Sequence, residues 1–227
     1  MNNSIVSENL KRVQYNIAEA KAKYRNENDD IKLMAVTKTV PYEIVNSVIE
    51  QGVDLLGENR VQEYLDKKDH YDKNAEVHFI GHLQTNKVKY IVDSVKCIHS
   101  VDSLKLAAEI ERLAEKNGIV MNVLTEVNIG GEESKSGIST DMLDELVYGI
   151  SEMKNIKLCG LMTIPPVGNS EFYFEKMQRI FEDLKAKKVD NVSMDILSMG
   201  MSADYVEAIK YGSNIVRVGS AIFGARK

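Results

Sequence analysis

Ile31-Lys32-Leu33-Met34-Ala35-Val36-Thr37-Lys38-Thr39-Val40-Pro41 reads as a short apolar strand, Leu33 to Val36 at its centre, that stops at a lysine. Pro41 has no N–H for a strand ladder, so the strand ends before it. An ammonium group at the end of a buried strand has two ways out. It can snorkel to water along its aliphatic stem. Alternatively, burial disfavours the charged form, lowers the pKa and leaves a neutral amine that adds to aldehydes. A lone strand-end lysine favours the first, and the rest of the chain decides whether the second holds.

Working outward, the same unit recurs. Residues 4–27 carry Ile5, Val6, Leu10, Val13, Ile17 and Ala20 at helical spacing. Strands are predicted at 31–37, 53–56, 76–80, 96–99, 121–127, 156–162, 192–197 and 214–218. Helices are predicted at 42–51, from Arg60 to about Tyr71, and at 84–92, 103–116, 141–151, 171–187 and 203–211. Gly52, Gly118 and Gly212 follow three of these helices as stops. Eight strands, each but the last followed by a helix over a short connection, imply parallel strands with right-handed crossovers. Eight such units in 227 residues fit one α/β domain, residues 1–227, folded as a (β/α)8 TIM barrel of the usual size, about 250 residues. The additional N-terminal helix would cover an end or flank. The competing arrangement is an open doubly wound sheet, but no Gly-x-Gly-x-x-Gly follows the first strand.

Composition narrows the function classes. The formal net charge of −5 argues against a nucleic-acid partner. No apolar run is long enough to span a bilayer, and the polar N-terminus has no signal-peptide core, so the expected location is cytoplasmic. Cys97 and Cys159 sit in apolar strand contexts. They read as buried free thiols of a reducing compartment, and their spacing does not resemble a zinc site.

In a barrel the carboxyl ends of the strands share one mouth, where chemistry sits. Those ends are Lys38, Glu58 and Asn59, His82, His99 and Ser100, Asn128, Thr163, Ser198 to Ser202, and Arg217 to Ser220. Ser103, Asp141 and Ser202 are equally suited to be helix caps. Ser198-Met199-Gly200-Met201-Ser202 and Gly219-Ser220-Ala221-Ile222 each lead into a helical start. There, free amides and a helix dipole would favour an anion, and loops after the seventh and eighth strands are where barrels often bind phosphate. Strands eight and one are neighbours in a closed barrel. An amine on one and a phosphate cradle on the other suit a ligand with an aldehyde at one end and a phosphate at the other. Pyridoxal 5′-phosphate (PLP) is such a ligand.

Six stretches carry a family resemblance. They are Ala35-Val36-Thr37-Lys38-Thr39, Gly57-Glu58-Asn59-Arg60-Val61-Gln62-Glu63, and His78-Phe79-Ile80-Gly81-His82-Leu83-Gln84-Thr85-Asn86-Lys87, then Gly160-Leu161-Met162-Thr163-Ile164-Pro165, Leu197-Ser198-Met199-Gly200-Met201-Ser202, and Val216-Arg217-Val218-Gly219-Ser220-Ala221-Ile222-Phe223-Gly224. In this order they resemble the pyridoxal phosphate homeostasis proteins, relatives of the barrel domain of bacterial alanine racemase. The resemblance spans essentially the whole chain. It implies a Schiff base between PLP and Lys38, phosphate contacts from Ser202, Gly219 and Ser220 with Ser198 in the same loop, and Arg217 facing the pyridine nitrogen. Asn59 and His82 fall in family motifs near the mouth. Tyr42, four residues after the lysine, stands where the racemase has a phosphate-contacting tyrosine. Pro41 precedes it, and that role is not carried over.

A guanidinium only donates, so Arg217 would keep the ring nitrogen unprotonated and weaken the cofactor as an electron sink. The racemase's second domain, which supplies a tyrosine base, has no counterpart before Lys227. Neither Tyr173 nor Tyr205 can be assigned as its replacement from the sequence. The resemblance therefore implies a monomeric carrier or buffer of PLP and amino-acid balance, with transient transfer of the cofactor to PLP enzymes, rather than a catalyst. A slow racemase or transaminase-like enzyme, with Asn128 and Lys135 at an amino-acid carboxylate, is the alternative. A barrel binding another phosphate ester, with Lys38 as a counter-charge, is a third reading.

Overall fold

The computed structural model describes residues 3–133 and 135–224. Its helices are α1 (Asn3–Tyr24), α2 (Tyr42–Ile49), α3 (Val61–Lys67), α4 (Leu104–Asn117), α5 (Leu143–Ser151), α6 (Ser170–Lys187), α7 (Tyr205–Lys210) and α8 (Ser220–Phe223). Its strands are β1 (Lys32–Val36), β2 (Leu55–Glu58), β3 (Glu76–Phe79), β4 (Cys97–Val101), β5 (Met121–Val127), β6 (Ile156–Thr163), β7 (Val192–Ser198) and β8 (Ile215–Val218). The strands close in sequence order into one barrel. The closure that matters for the site is β8 on β1, parallel, with Met34 opposite Arg217 and Ala35 opposite Val218.

Alternation along β1 assigns its two faces. Ala35 belongs to the large apolar layer between strands and helices. Met34 packs with Leu55, Ile80 and Ile215 in a separate cluster inside the barrel, as a period of two requires. Helix α1 buries Val6, Leu10, Val13, Ile17 and Ala20, a stripe at three- and four-residue spacing, against α7, α8 and α2. Polar bonds fix it there: Asn9 Nδ2 donates to the Ile222 carbonyl at 3.0 Å, and Asn16 Nδ2 to the Tyr205 hydroxyl at 2.9 Å. Helices α7 and α8 have only six and four residues. The added helix thus supplies the apolar cover that these short helices cannot give the seam between β8 and β1.

The structure departs from the sequence reading at one crossover and at strand bounds. Thr85–Tyr90 is a 3-10 helix, not an α-helix over 84–92. Threonine, asparagine and tyrosine there have weak helix propensity, and Val88 alone is buried in it, so there is no stripe to reward a longer helix. Strand β2 starts at Leu55 rather than residue 53 and runs through Gly57 to Glu58, which brings Glu58 into the barrel wall. A short helix, α8, follows the last strand as well. Ser103 caps α4 as expected, its Oγ accepting from the Leu106 amide at 3.4 Å, and Gly118 ends that helix at φ 66°. Among the described residues no helix is long and apolar enough to cross a membrane.

Candidate functional site

Lys38 lies two residues beyond the end of β1, half-buried, and its flanks are held from β2 and α3. Thr37 Oγ1 donates to Glu58 Oε1 at 2.6 Å, and the Tyr71 hydroxyl donates to the same oxygen. Lys67 Nζ donates to the Thr37 carbonyl at 3.0 Å and pairs with Glu63 at 2.5 Å. Glu63 in turn accepts from the Thr39 amide. Thr39 has φ 64°, a left-handed conformation that is costly for a β-branched residue and characteristic of functional turns. Glu58 is fully buried. Burial raises its pKa against the lowering effects of Thr37, Tyr71 and the Lys67 ammonium.

Arg217, on β8, is 3% exposed. Its Nη1 donates to Ser198 Oγ at 2.8 Å and its Nη2 to the Thr163 carbonyl at 2.9 Å, so the last residues of β6 and β7 orient it. No carboxylate pairs with it among the described residues. Burial pulls its pKa down to about 10, with Glu126 opposing. A desolvated cation lacking an ion pair is expensive unless a ligand uses it.

The anion cradle differs from expectation. Ser202 Oγ accepts from the Gly219 amide at 3.3 Å and the Ala221 amide at 3.1 Å. The Met201 amide donates to Asp204 Oδ1 at 2.7 Å. These donors are not free, because each finds an acceptor within the protein. A hydroxyl accepting two N–H bonds still has its own hydrogen to donate, so Ser202 joins the two loops and can present that hydrogen to a ligand. Gly219 lies against β1: a Cβ there would meet Val36 Cβ at 3.3 Å and the Val36 carbonyl oxygen at 3.4 Å.

Lys38, Asn59, Ser202, Arg217, Gly219 and Ser220 line one cavity of about 710 Å³, together with apolar groups including Val36, Ile80 and Ile164. That volume is in the range of a small-molecule site, ~300–1,000 Å³. Asn59 Oδ1 is buried without a partner. Ser198 stands behind Arg217 instead of on the wall. His82 is exposed and lines a neighbouring cavity of about 410 Å³, which shares Asn59. Tyr42 stacks on His70 at 4.4 Å. Asn128 binds the carbonyls of Glu132 and Lys135 in its own loop. The Tyr205 hydroxyl is engaged by Asn16, and Tyr173 packs edge-on to Phe172; neither lines the cavity. Sequence reasoning did not find the clamp of Glu58, Glu63, Lys67 and Tyr71 about Lys38. Its one visible signal was an acid at the end of a buried strand.

Comparison with known proteins agrees with this geometry. Residues 9–227 match the family model for the alanine racemase N-terminal domain. The pyridoxal phosphate homeostasis protein of Aquifex aeolicus is 45% identical over 225 residues, 97% of this chain and 98% of that one. An unknown protein from Bifidobacterium adolescentis superposes with a TM-score of 0.92 at 34% identity, covering 97% of this chain and 95% of that chain. PipY of Synechococcus elongatus, in a structure with PLP bound, superposes with a TM-score of 0.79 at 26% identity, covering 92% and 99%. A closed barrel with a lysine, an arginine and a serine–glycine cradle at one mouth, and near-full-length identity to named relatives, place the chain in the pyridoxal phosphate homeostasis protein family, of the alanine racemase N-terminal domain type.

Proposed function

We propose that this chain is a single barrel domain that binds PLP in the mouth cavity, with Lys38 holding its aldehyde as a Schiff base, and that it buffers and hands on the cofactor without turning over a substrate. The observation that carries this reading is the closure of β8 on β1, which sets Lys38, Arg217 and the Ser202–Gly219 bridge around one cavity. The residues fit the group. Ser202 and Ser220 would hold the phosphate, with Gly219 bonded to Ser202 and positioning it, and Arg217, steadied by Ser198 and Thr163, would donate to the ring nitrogen. Asn59 offers an unpartnered buried polar atom. When bound, PLP supplies an electrophilic carbon and an electron sink whose strength depends on protonation of its ring nitrogen. Arg217, always a donor, opposes that protonation. Among the described residues no tyrosine lines the cavity to serve as a second base. These features favour storage over racemisation; the proposal further takes the chain to act as a cytoplasmic monomer.

Incubation with PLP followed by borohydride reduction and peptide mass mapping tests the reading. The expected result is one pyridoxyl adduct, on Lys38, absent from Lys38→Ala. An unmodified protein, or an adduct that survives the substitution, overturns it. Exchange of the α-hydrogen of added amino acids for deuterium at enzyme-like rates would instead favour the racemase or transaminase-like alternative.

Arg217→Met separates binding from stability. Removing a buried charge that has no ion pair relieves a desolvation cost of roughly several kcal/mol. The gain is offset by leaving Ser198 Oγ and the Thr163 carbonyl without their donor, ~1–3 kcal/mol each. The variant should therefore unfold in urea at a midpoint close to the parent's. Its PLP affinity should fall at least about tenfold, the loss of one charge-assisted bond. A clear loss of stability with affinity intact would assign Arg217 to the fold alone.

A further inference from the structure

Inside the barrel, toward its amino-terminal end, lies a cluster that the mouth chemistry does not use. His78 and Cys97 are register partners on β3 and β4, and His99 follows Cys97 two residues on, on the same face of β4. His78 Nδ1 and His99 Nε2 are 2.9 Å apart. One ligand-capable atom from each of His78, Cys97 and His99 lies within 4.8 Å of the other two. The residues are 7%, 2% and 0% exposed. In the hydrogen bond between the two rings one nitrogen must accept, so at least one imidazole is neutral and turns a lone pair toward its neighbour. His99 Nδ1 is buried with no partner. The ring is thus not anchored through both nitrogens, as a histidine serving only the core normally is.

A second cavity, of about 440 Å³, reaches this cluster. His78, Cys97, Asn122 and Asp195 line it, and it shares no lining residue with the mouth cavity. With His78 and Cys97 on the cavity wall and His99 bonded to His78, the cluster has both a ligand set and an entry path.

We propose that His78, Cys97 and His99 bind a divalent transition ion of the zinc class, with the fourth coordination position open to this second cavity. Two imidazoles and a thiolate select such an ion over magnesium or calcium, which prefer oxygen. Tetrahedral bonds of about 2.0–2.1 Å to nitrogen and 2.3 Å to sulfur put ligand atoms about 3.3–3.6 Å apart. The two nitrogens therefore open by a few tenths of an ångström from 2.9 Å, a rotamer adjustment rather than a backbone one. On binding, the Cys97 S–H bond breaks, an S–metal bond forms, and the proton leaves through the cavity. The hydrogen bond between the rings is replaced by two metal–nitrogen bonds. The ring that donated it then carries its proton on its other nitrogen, Nε2 of His78 or Nδ1 of His99. No oxidation or reduction is involved. The metal's two charges meet one thiolate, and the cavity wall carries Asp30, Glu76 and Asp195 beside Lys32 and Lys96.

The test uses the full chain stripped with a chelator. Cobalt(II) titration should give one equivalent bound, with a sulfur-to-cobalt charge-transfer band and the intense visible bands of a tetrahedral ion. Zinc should displace it in competition with a chromogenic chelator. Cys97→Ser should abolish the charge-transfer band. Cys97→Ser and His78→Gln should each weaken binding by more than the ~10–100-fold cost of losing an outer-shell partner. Lys38→Ala should bind as the parent does. Failure of the parent to take up cobalt or zinc at micromolar concentrations overturns the proposal. So does uptake without the sulfur band, which marks oxygen ligands on the surface, and so does unchanged affinity in both ligand variants. Circular dichroism melts confirm that each variant is folded; since the parent titration alone can refute the site, a variant that fails to fold does not protect it.

Discussion

Gly160→Ala should cost at least about 4 kcal/mol of stability, at the extreme of single substitutions, and lower the midpoint of thermal unfolding by about 10 °C or more. Gly160 has φ 153° on β6, where an L side chain is strained. A Cβ there would lie 1.8 Å from the Ile196 carbonyl oxygen and 2.7 Å from its carbon. The obstacle is the backbone of the neighbouring strand, which cannot rotate away as a side chain can. Gly160 and Ile196 are register partners where the β6–β7 ladder shifts, so the strands must part to admit the methyl. Separation at that point carries Thr163 and Ser198 with it, the two groups that orient Arg217. Urea denaturation of the two chains side by side checks this. A difference below 1 kcal/mol would mean that the barrel wall yields at little cost and that the close approach does not constrain it.

The barrel was legible because each strand is a short apolar run closed by polar residues, and because such runs alternate with helical stripes in the order that parallel closure demands. The adjacency of β8 and β1 followed from closure alone, and with it the grouping of Lys38, Arg217, Ser202, Gly219 and Ser220 about one cavity. Three things were not legible. The segment Thr85–Tyr90 carries Val88 and little else to fix its helical type, so local pattern could not separate a 3-10 turn from an α-helix. The amides after β7 and β8 were expected to be free, but whether Ser202 Oγ reaches Gly219 across 17 residues is a matter of tertiary distance. The His78–Cys97–His99 cluster is assembled from adjacent strands of a barrel. It has none of the short spacings by which zinc sites announce themselves in sequence, and His78 entered the reading only as the first residue of a stretch carrying the family resemblance.

Glu58 gives the second large effect, and its two substitutions should part company. Glu58→Ala removes the acceptor shared by Thr37 Oγ1 and the Tyr71 hydroxyl. Thr37 has a fallback, since its Oγ1 lies 3.3 Å from the Gly57 carbonyl. Tyr71, 9% exposed, keeps only the Thr37 hydroxyl beside it, and losing its carboxylate acceptor next to a new void should cost about 2–4 kcal/mol. Glu58→Gln keeps an oxygen for both hydroxyls and removes a charge whose ionisation burial opposes. It places an amide where Oε2 now has no partner, so its net effect at neutral pH should lie within about 1 kcal/mol of the parent. The pH dependence has a definite sign. Because the folded-state pKa is raised above 4.5, protonated Glu58 contributes stability that is fully present below that value and lost as pH rises through the folded pKa. The glutamine variant has no such group, so its stability relative to the parent should improve from pH 4 to pH 7.5. If the difference is flat or runs the other way, Glu58 stays ionised against Lys67, 3.8 Å away, and burial is not the dominant influence. The same pair reports on Lys38. Glu58 touches Thr37 and not the cavity, so it acts by position: PLP affinity should drop in the alanine variant, where the end of β1 loses its anchor, and be retained in the glutamine variant, where the anchor survives without its charge.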